Sequence, residues 1–189
     1  MKYDQEEMIR KFSLEHDRQS LFIRFAGRRC RIERSTGIVN WLNEALQTEE
    51  KADYNEVMTI YDVLCYYKEN CWLANEWVNV ASLFAVQGGS LEKGSSFFQE
   101  AGKYFDGKTK ELAHACEALR GRKLDKGDAA YELDLFPFLP LILRFWESDE
   151  DFPASLQILT DKNVLDYMHY ETLMFAITHI FERLKGNMR

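Results

Sequence analysis

The chain has no Cys-x-x-Cys pair, no Gly-x-Ser-x-Gly elbow, no His-Glu-x-x-His and no Gly-x-Gly-x-x-Gly fingerprint. Their absence lowers the weight of the common hydrolase and dehydrogenase classes without removing catalysis, because active sites assemble in space. Proline is scarce, with 3 residues, all between Pro137 and Pro153. No linker, internal repeat or low-complexity tract divides the chain, so one domain over residues 1–189 is expected. The apolar run Leu139 to Leu143 contains a proline and stops at Arg144. That is far short of the roughly 18–20 residues of a membrane span. Met1 to Arg10 is charged and no apolar leader core follows. A soluble, cytoplasmic protein is the expectation, with Cys30, Cys65, Cys71 and Cys116 as reduced thiols. A basic excess is also missing: 24 Lys and Arg stand against 31 Asp and Glu, for a net charge of −7. Nucleic acid and anionic membranes are disfavoured as partners.

What the chain has in quantity is apolar and aromatic surface, 46% and 14% of residues, enough to offset the ordering entropy of a folded domain. Met8, Ile9 and Phe12 share one side of a predicted helix over residues 4–14. Leu21, Ile23 and Phe25, then Cys30 and Ile32, alternate with polar neighbours about a turn at Ala26-Gly27-Arg28, which predicts a β-hairpin over 20–34. Asp53 and Glu56 form a capping box ahead of a helix reaching about Tyr67. Trp77 to Phe84 reads as a short strand, and 87–95 as a glycine-bearing loop. Two helices follow, marked by Phe97 to Phe105 and by Leu112 to Leu119. Tyr131, Leu133 and Leu135 alternate, Leu141 to Trp146 is a second apolar strand, and Ser155 to Leu159 a third. Pro137 and Pro140 confine such strands to sheet edges or strand starts. A last helix is predicted from about Asn163 to Leu184. The fold class is α+β, with hairpins near the N-terminus and before the C-terminal helix, and helices packed on mostly antiparallel sheet.

The densest local signal is Asp149-Glu150-Asp151-Phe152-Pro153, with Asp161 shortly after. Leu133 to Glu171 resembles a domain-of-unknown-function family of bacteria and archaea, through Pro137 and Pro140, Trp146, the acidic-Phe-Pro run, and Leu159 with Asp161. Trp77-Val78 and Gly88-Gly89 extend the likeness to residues 55–185. The resemblance implies a domain of about this length with no assigned activity, in some members set beside iron–sulfur modules. No iron–sulfur ligand set exists here, so any such cluster would belong to a partner. The resemblance also raises interest in Asp149 and Asp151.

Two readings of the acidic turn stand side by side. Asp149, Asp151 and Asp161 offer oxygens to Mg²⁺ or Ca²⁺, although adjacent strand residues face opposite ways and no calcium-loop pattern is present. Alternatively Phe152 and Pro153 anchor the turn in the core while the acids cap backbone N–H groups. Asparagine at 149 or 151 separates the two: altered binding with an unmoved melting temperature marks function, a large stability loss marks caps. His169 falls on the apolar face of the predicted last helix, as a general base or, more simply, a hydrogen-bonded core residue. His179 lies at the margin of that face, and His114-x-Cys116 diverges on a helix. Gly89 and Gly94 have phosphate-loop spacing, but Ser95 stands where the lysine belongs. Arg24, Arg28, Arg29, Arg31 and Arg34 on the hairpin form either an acid-seeking surface or a solvated face paired with this chain's own acids.

The expectation is an uncharacterised, non-catalytic ligand-binding or protein-interaction module, with Trp146, Asp149, Asp151 and Asp161 as candidate ligand contacts. No cofactor is indicated by motif, and the partner is an unknown small molecule or protein. The alternative is a metal-dependent or acid/base enzyme using turn 149–151 with His169. That alternative requires Asp149, Asp151, Asp161 and His169 to converge on one cleft.

Overall fold

Alternation and capping set the first half of the chain. In the computed structural model, which describes residues 4–43, 45–86 and 91–188, helix α1 (Gln5–Phe12) starts where Asp4 accepts the Glu7 amide. It buries Met8, Ile9 and Phe12. Strand β1 (Glu15–His16) leads to β2 (Ser20–Phe25) and β3 (Arg28–Glu33), whose Leu21, Ile23, Phe25, Cys30 and Ile32 all face inward. Ala26 and Gly27 both take positive φ, 46° and 77°, the pairing that lets a two-residue turn follow the twist of a hairpin. Strands β4 (Val39–Asn43) and β5 (Thr48–Lys51) complete an antiparallel meander in the order β1-β2-β3-β4-β5.

Helix α2 (Tyr54–Tyr66) begins at the predicted capping box, with Asp53 accepting the Glu56 amide and Glu56 accepting the Asp53 amide. Strand β6 (Trp77–Asn79), helices α3 (Val80–Val86), α4 (Leu91–Phe105) and α5 (Thr109–Ala118), and strand β7 (Arg122–Lys123) follow. A second meander, β8 (Ala129–Phe136), β9 (Leu139–Trp146) and β10 (Ser155–Asp161), joins them in an antiparallel sheet ordered β6-β10-β9-β8-β7. Pro140 sits at the start of β9 opposite a bulge at Asp134–Phe136, so the central strand keeps its ladder. Helix α6 (Tyr170–Asn187) closes the chain and buries Leu173, Ala176, Ile177, Ile180, Phe181 and Leu184.

The fold is α+β, and its strands form two antiparallel sheets. They meet where the Ala26 amide donates to the Leu135 carbonyl at 2.9 Å and Phe25 stacks on Phe136 at 5.1 Å. One cluster of buried apolar side chains runs through both sheets and α6. Fully burying each such aromatic or aliphatic side chain contributes about 1.5–3 kcal/mol.

Four expectations are corrected. The strand at Trp77 ends at Asn79, because the Asn79 side chain accepts the Ala81 amide and caps α3. Leu91 to Ser95 is helical, so the loop expected over 87–95 does not reach Gly94; residues 87–90 lie outside the described set. The last helix is not continuous from Asn163. Val164–Asp166 is a 3₁₀ turn, and α6 begins after His169, whose amide is held by Asp62 of α2. Phe152 is 70% exposed rather than a core anchor, because the turn closes on its own backbone.

Candidate functional site

The acidic residues that stand out in the sequence are dispersed. Asp149 Oδ1 accepts the amides of Asp151 and Phe152 at 2.9 and 2.7 Å, while its own amide donates to the Phe152 carbonyl. Ser148 is tied to Asp106, whose carboxyl these bonds hold below the usual aspartate range. Asp161 sits at the opposite end of β10, roughly 20 Å along the strand. Only 3% exposed, it accepts the amides of Ala74, Asn75 and Asn163. Trp146 is half-buried on the face of β9 opposite Phe145. His169 is neither on an apolar helix face nor near the turn. It precedes α6, is 56% exposed, rests against the Tyr66 ring, and has Nδ1 2.6 Å from Asp62. Asp62 also accepts the His169 amide and the Thr172 hydroxyl, which makes it a cap for α6 supplied by another helix. These four do not converge, and no group of three or more His, Cys, Asp or Glu suited to a metal occurs among the described residues.

Charged and aromatic side chains do converge where α2 and α6 cross the end of the first sheet. The capping geometry holds the Glu56 carboxylate inward at 8% exposure. Its Oε2 accepts the Trp41 indole N–H and the Asp53 amide, both at 2.7 Å. Its Oε1 lies 3.3 Å from His179 Nδ1. Helix α6 runs antiparallel to α2, which is why Asp62 meets His169 and Glu56 meets His179. The His179 ring lies almost parallel to those of Phe25 and Trp41, at 4.8 and 5.7 Å. A cavity of about 170 Å³ opens beside this pair, lined in part by Phe25, Asp53, Glu56, Phe175, His179 and Glu182.

The electrostatics follow from burial. His179 is driven below the ordinary histidine range chiefly by desolvation. Glu56 opposes the shift, Arg183 and Arg28 add to it, and Asp53 opposes it weakly. A carboxylate opposite Nδ1 places the proton of the neutral ring there and leaves Nε2 an acceptor. That Nε2 is water-excluded and has no hydrogen-bond partner; the Nε of Arg183 is in the same condition. Arg28 lies over the Trp41 ring at 4.5 Å and reaches Glu50 at 3.6 Å. An interior polar atom left unpaired costs about 1–3 kcal/mol.

The family model described as Domain of unknown function (DUF3786) matches residues 4–183, nearly the whole chain. The chain belongs to that family. No curated protein and no solved structure matches it. The DUF3786 match therefore settles kinship and leaves the chemistry to the geometry.

The hairpin arginines and two of the cysteines of this DUF3786 chain are accounted for structurally. On the first hairpin, Arg28, Arg29, Arg31 and Arg34 reach Glu50, Glu15, Glu49 and Glu6. Burial pushes the thiols of Cys30 and Cys116 up to about 12, so neither is a nucleophile at neutral pH. Glu56 was visible in the sequence only as a capping residue and His179 only as a marginal helix position. The nearest signal is the capping box with a tryptophan on β4, and it carries no information about which helix returns alongside.

Proposed function

We propose that this protein is a non-catalytic binding module acting as one domain, and that its site is the cavity beside Glu56 and His179. The buried Glu56–His179 pair carries the reading. A carboxylate and an imidazole are held together by capping and ring packing, with a cavity against them. Binding sites combine apolar walls with a few fixed polar groups in this way. A cytoplasmic setting fits the four free cysteines, three of them buried as thiols. No helix among the described residues is long and apolar enough to cross a membrane.

The test is a small-molecule screen read by ¹⁵N-histidine and indole N–H resonances. Binders that move His179 and Trp41 together support the site. Binders that perturb the 147–154 turn or Trp146 and leave His179 unmoved overturn it in favour of the acidic turn.

A further inference from the structure

Asp62 does more for His169 than a helix cap requires. The cap is complete once its carboxylate accepts the His169 amide at 2.7 Å and the Thr172 hydroxyl, and any residue but proline at position 169 would supply that amide. The imidazole adds a further contact, Nδ1 to Asp62 Oδ1 at 2.6 Å. Asp62 is only 11% exposed, whereas the His169 side chain is 56% exposed and its ring lies against Tyr66 with centroids 3.6 Å apart. A carboxylate facing Nδ1 keeps the ring proton on that nitrogen and leaves the lone pair on Nε2. The result is an exposed imidazole whose tautomer and orientation are both set by a half-hidden acid, the arrangement that activates a histidine as a nucleophile.

His169 does not line the cavities beside Phe12, Tyr61 or Glu56, and its ring is open to solvent, so a reacting group must arrive on its own donor. It is also the N-cap of an 18-residue helix, whose positive end favours an anion. We propose that Nε2 of His169 is a phosphoryl-acceptor site, loaded by a reactive donor of the acyl phosphate or phosphoramidate class. The Nε2 lone pair forms the N–P bond. The bond from phosphorus to the leaving group breaks, and its electron pair departs with that group as a carboxylate, or as ammonia from a protonated phosphoramidate. The ring proton stays on Nδ1, where Asp62 faces the positive charge that the imidazole acquires. Nothing is oxidised or reduced. This site stands apart from the cavity beside Glu56, and neither reading depends on the other.

The molecule supplies its own controls. His16 and His114 are also exposed, but Nδ1 of His16 faces an uncharged carbonyl, that of Leu14, at 3.1 Å, and His114 makes no hydrogen bond or ion pair among the described residues. The intact protein would be incubated with potassium phosphoramidate at about pH 8, where imidazoles are largely neutral. Peptide mass spectrometry in alkaline eluent would follow each histidine, and ³¹P and ¹⁵N NMR would identify the phosphorylated nitrogen. His169 should be labelled about tenfold faster than His16 or His114, and at Nε2. Asp62→Asn keeps an acceptor oxygen for the cap and should bring His169 to within about twofold of the other two. Labelling of His169 no faster than the controls, or labelling at Nδ1, overturns the assignment without recourse to any variant. An undiminished His169 rate in a folded Asp62→Asn protein overturns it too, because the carboxylate would then not be what activates the ring.

Discussion

At Asp149–Asp151 the chain gathers three acids on a surface turn, and at Asp53, Glu56 and Glu182 it gathers three more around a cavity. In the turn, the one carboxylate with hydrogen bonds spends them on amides two and three residues away. Around the cavity, Glu56 is buried, takes donors from a strand and from its own helix start, and faces an imidazole from a third element. Carboxylates crowded in sequence stabilise local backbone and remain solvated. Asp53 and Glu182 stay exposed, so it is Glu56, drawn in by tertiary packing, that is desolvated, and desolvation strengthens the charge's effect on its neighbours.

The largest effect should come from Glu56→Ala. It strips the Asp53 amide and the Trp41 indole of a buried acceptor and removes the partner of His179. A loss of about 4 kcal/mol is expected, measured by denaturant unfolding, with a shift in tryptophan emission from Trp41. Asp161→Ala should follow at about 3 kcal/mol, since it orphans three backbone amides beneath a nearly inaccessible carboxylate. If Asp161→Ala proved neutral, the contrast between buried and surface acids would lose its basis.

Acid should expose the same difference. His179 is held neutral when folded, below its unfolded value of about 6.5. The unfolded chain therefore binds the proton first as pH falls. The histidine's contribution is fully present above about pH 6.5 and is lost as pH drops from there to the folded value. The charged groups around it are Glu56 on α2 with Asp53 at its N-cap, Arg183 and Glu182 on α6, and Arg28 on β3. Unfolding free energies of the wild type and His179→Phe, measured between pH 7.5 and 5, should show a steeper acid loss in the wild type. Parallel curves would mean that the ring is not desolvated.

Much of the fold was legible from residue spacing. Alternation at Leu21, Ile23 and Phe25 located the first hairpin, and Asp53 with Glu56 located the start of α2. Strand β5 was not legible, because Thr48–Lys51 is an all-exposed charged edge with no apolar periodicity to read. The break before α6 was hidden as well, since it depends on Asp62 reaching across from α2 to hold the His169 amide. The cavity was illegible for the same reason. Glu56 and His179 each look ordinary on their own helix, and only the antiparallel packing of α2 on α6 gives the pair meaning. Local spacing reports local structure; a site built from three elements leaves no local trace.

The smallest effects lie in the acidic turn and sharpen the contrast from its other side. Asp149→Ala should cost about 1 kcal/mol, because the two amides it caps are exposed and water can replace the carboxylate. Asp149→Asn keeps an acceptor oxygen at the same position and should cost less than the alanine variant. Asp151 is exposed, and its side chain makes no hydrogen bond or ion pair among the described residues. Asp151→Asn should therefore fall within about 0.5 kcal/mol of the wild type. Stability alone cannot separate a spare surface acid from a contact residue, so the informative measurement is the small-molecule response of the Asp151→Asn variant. Unchanged binding leaves the turn a cap with solvated neighbours, whereas weakened binding at unchanged stability would make Asp151 a ligand contact and move the site from the cavity to the turn.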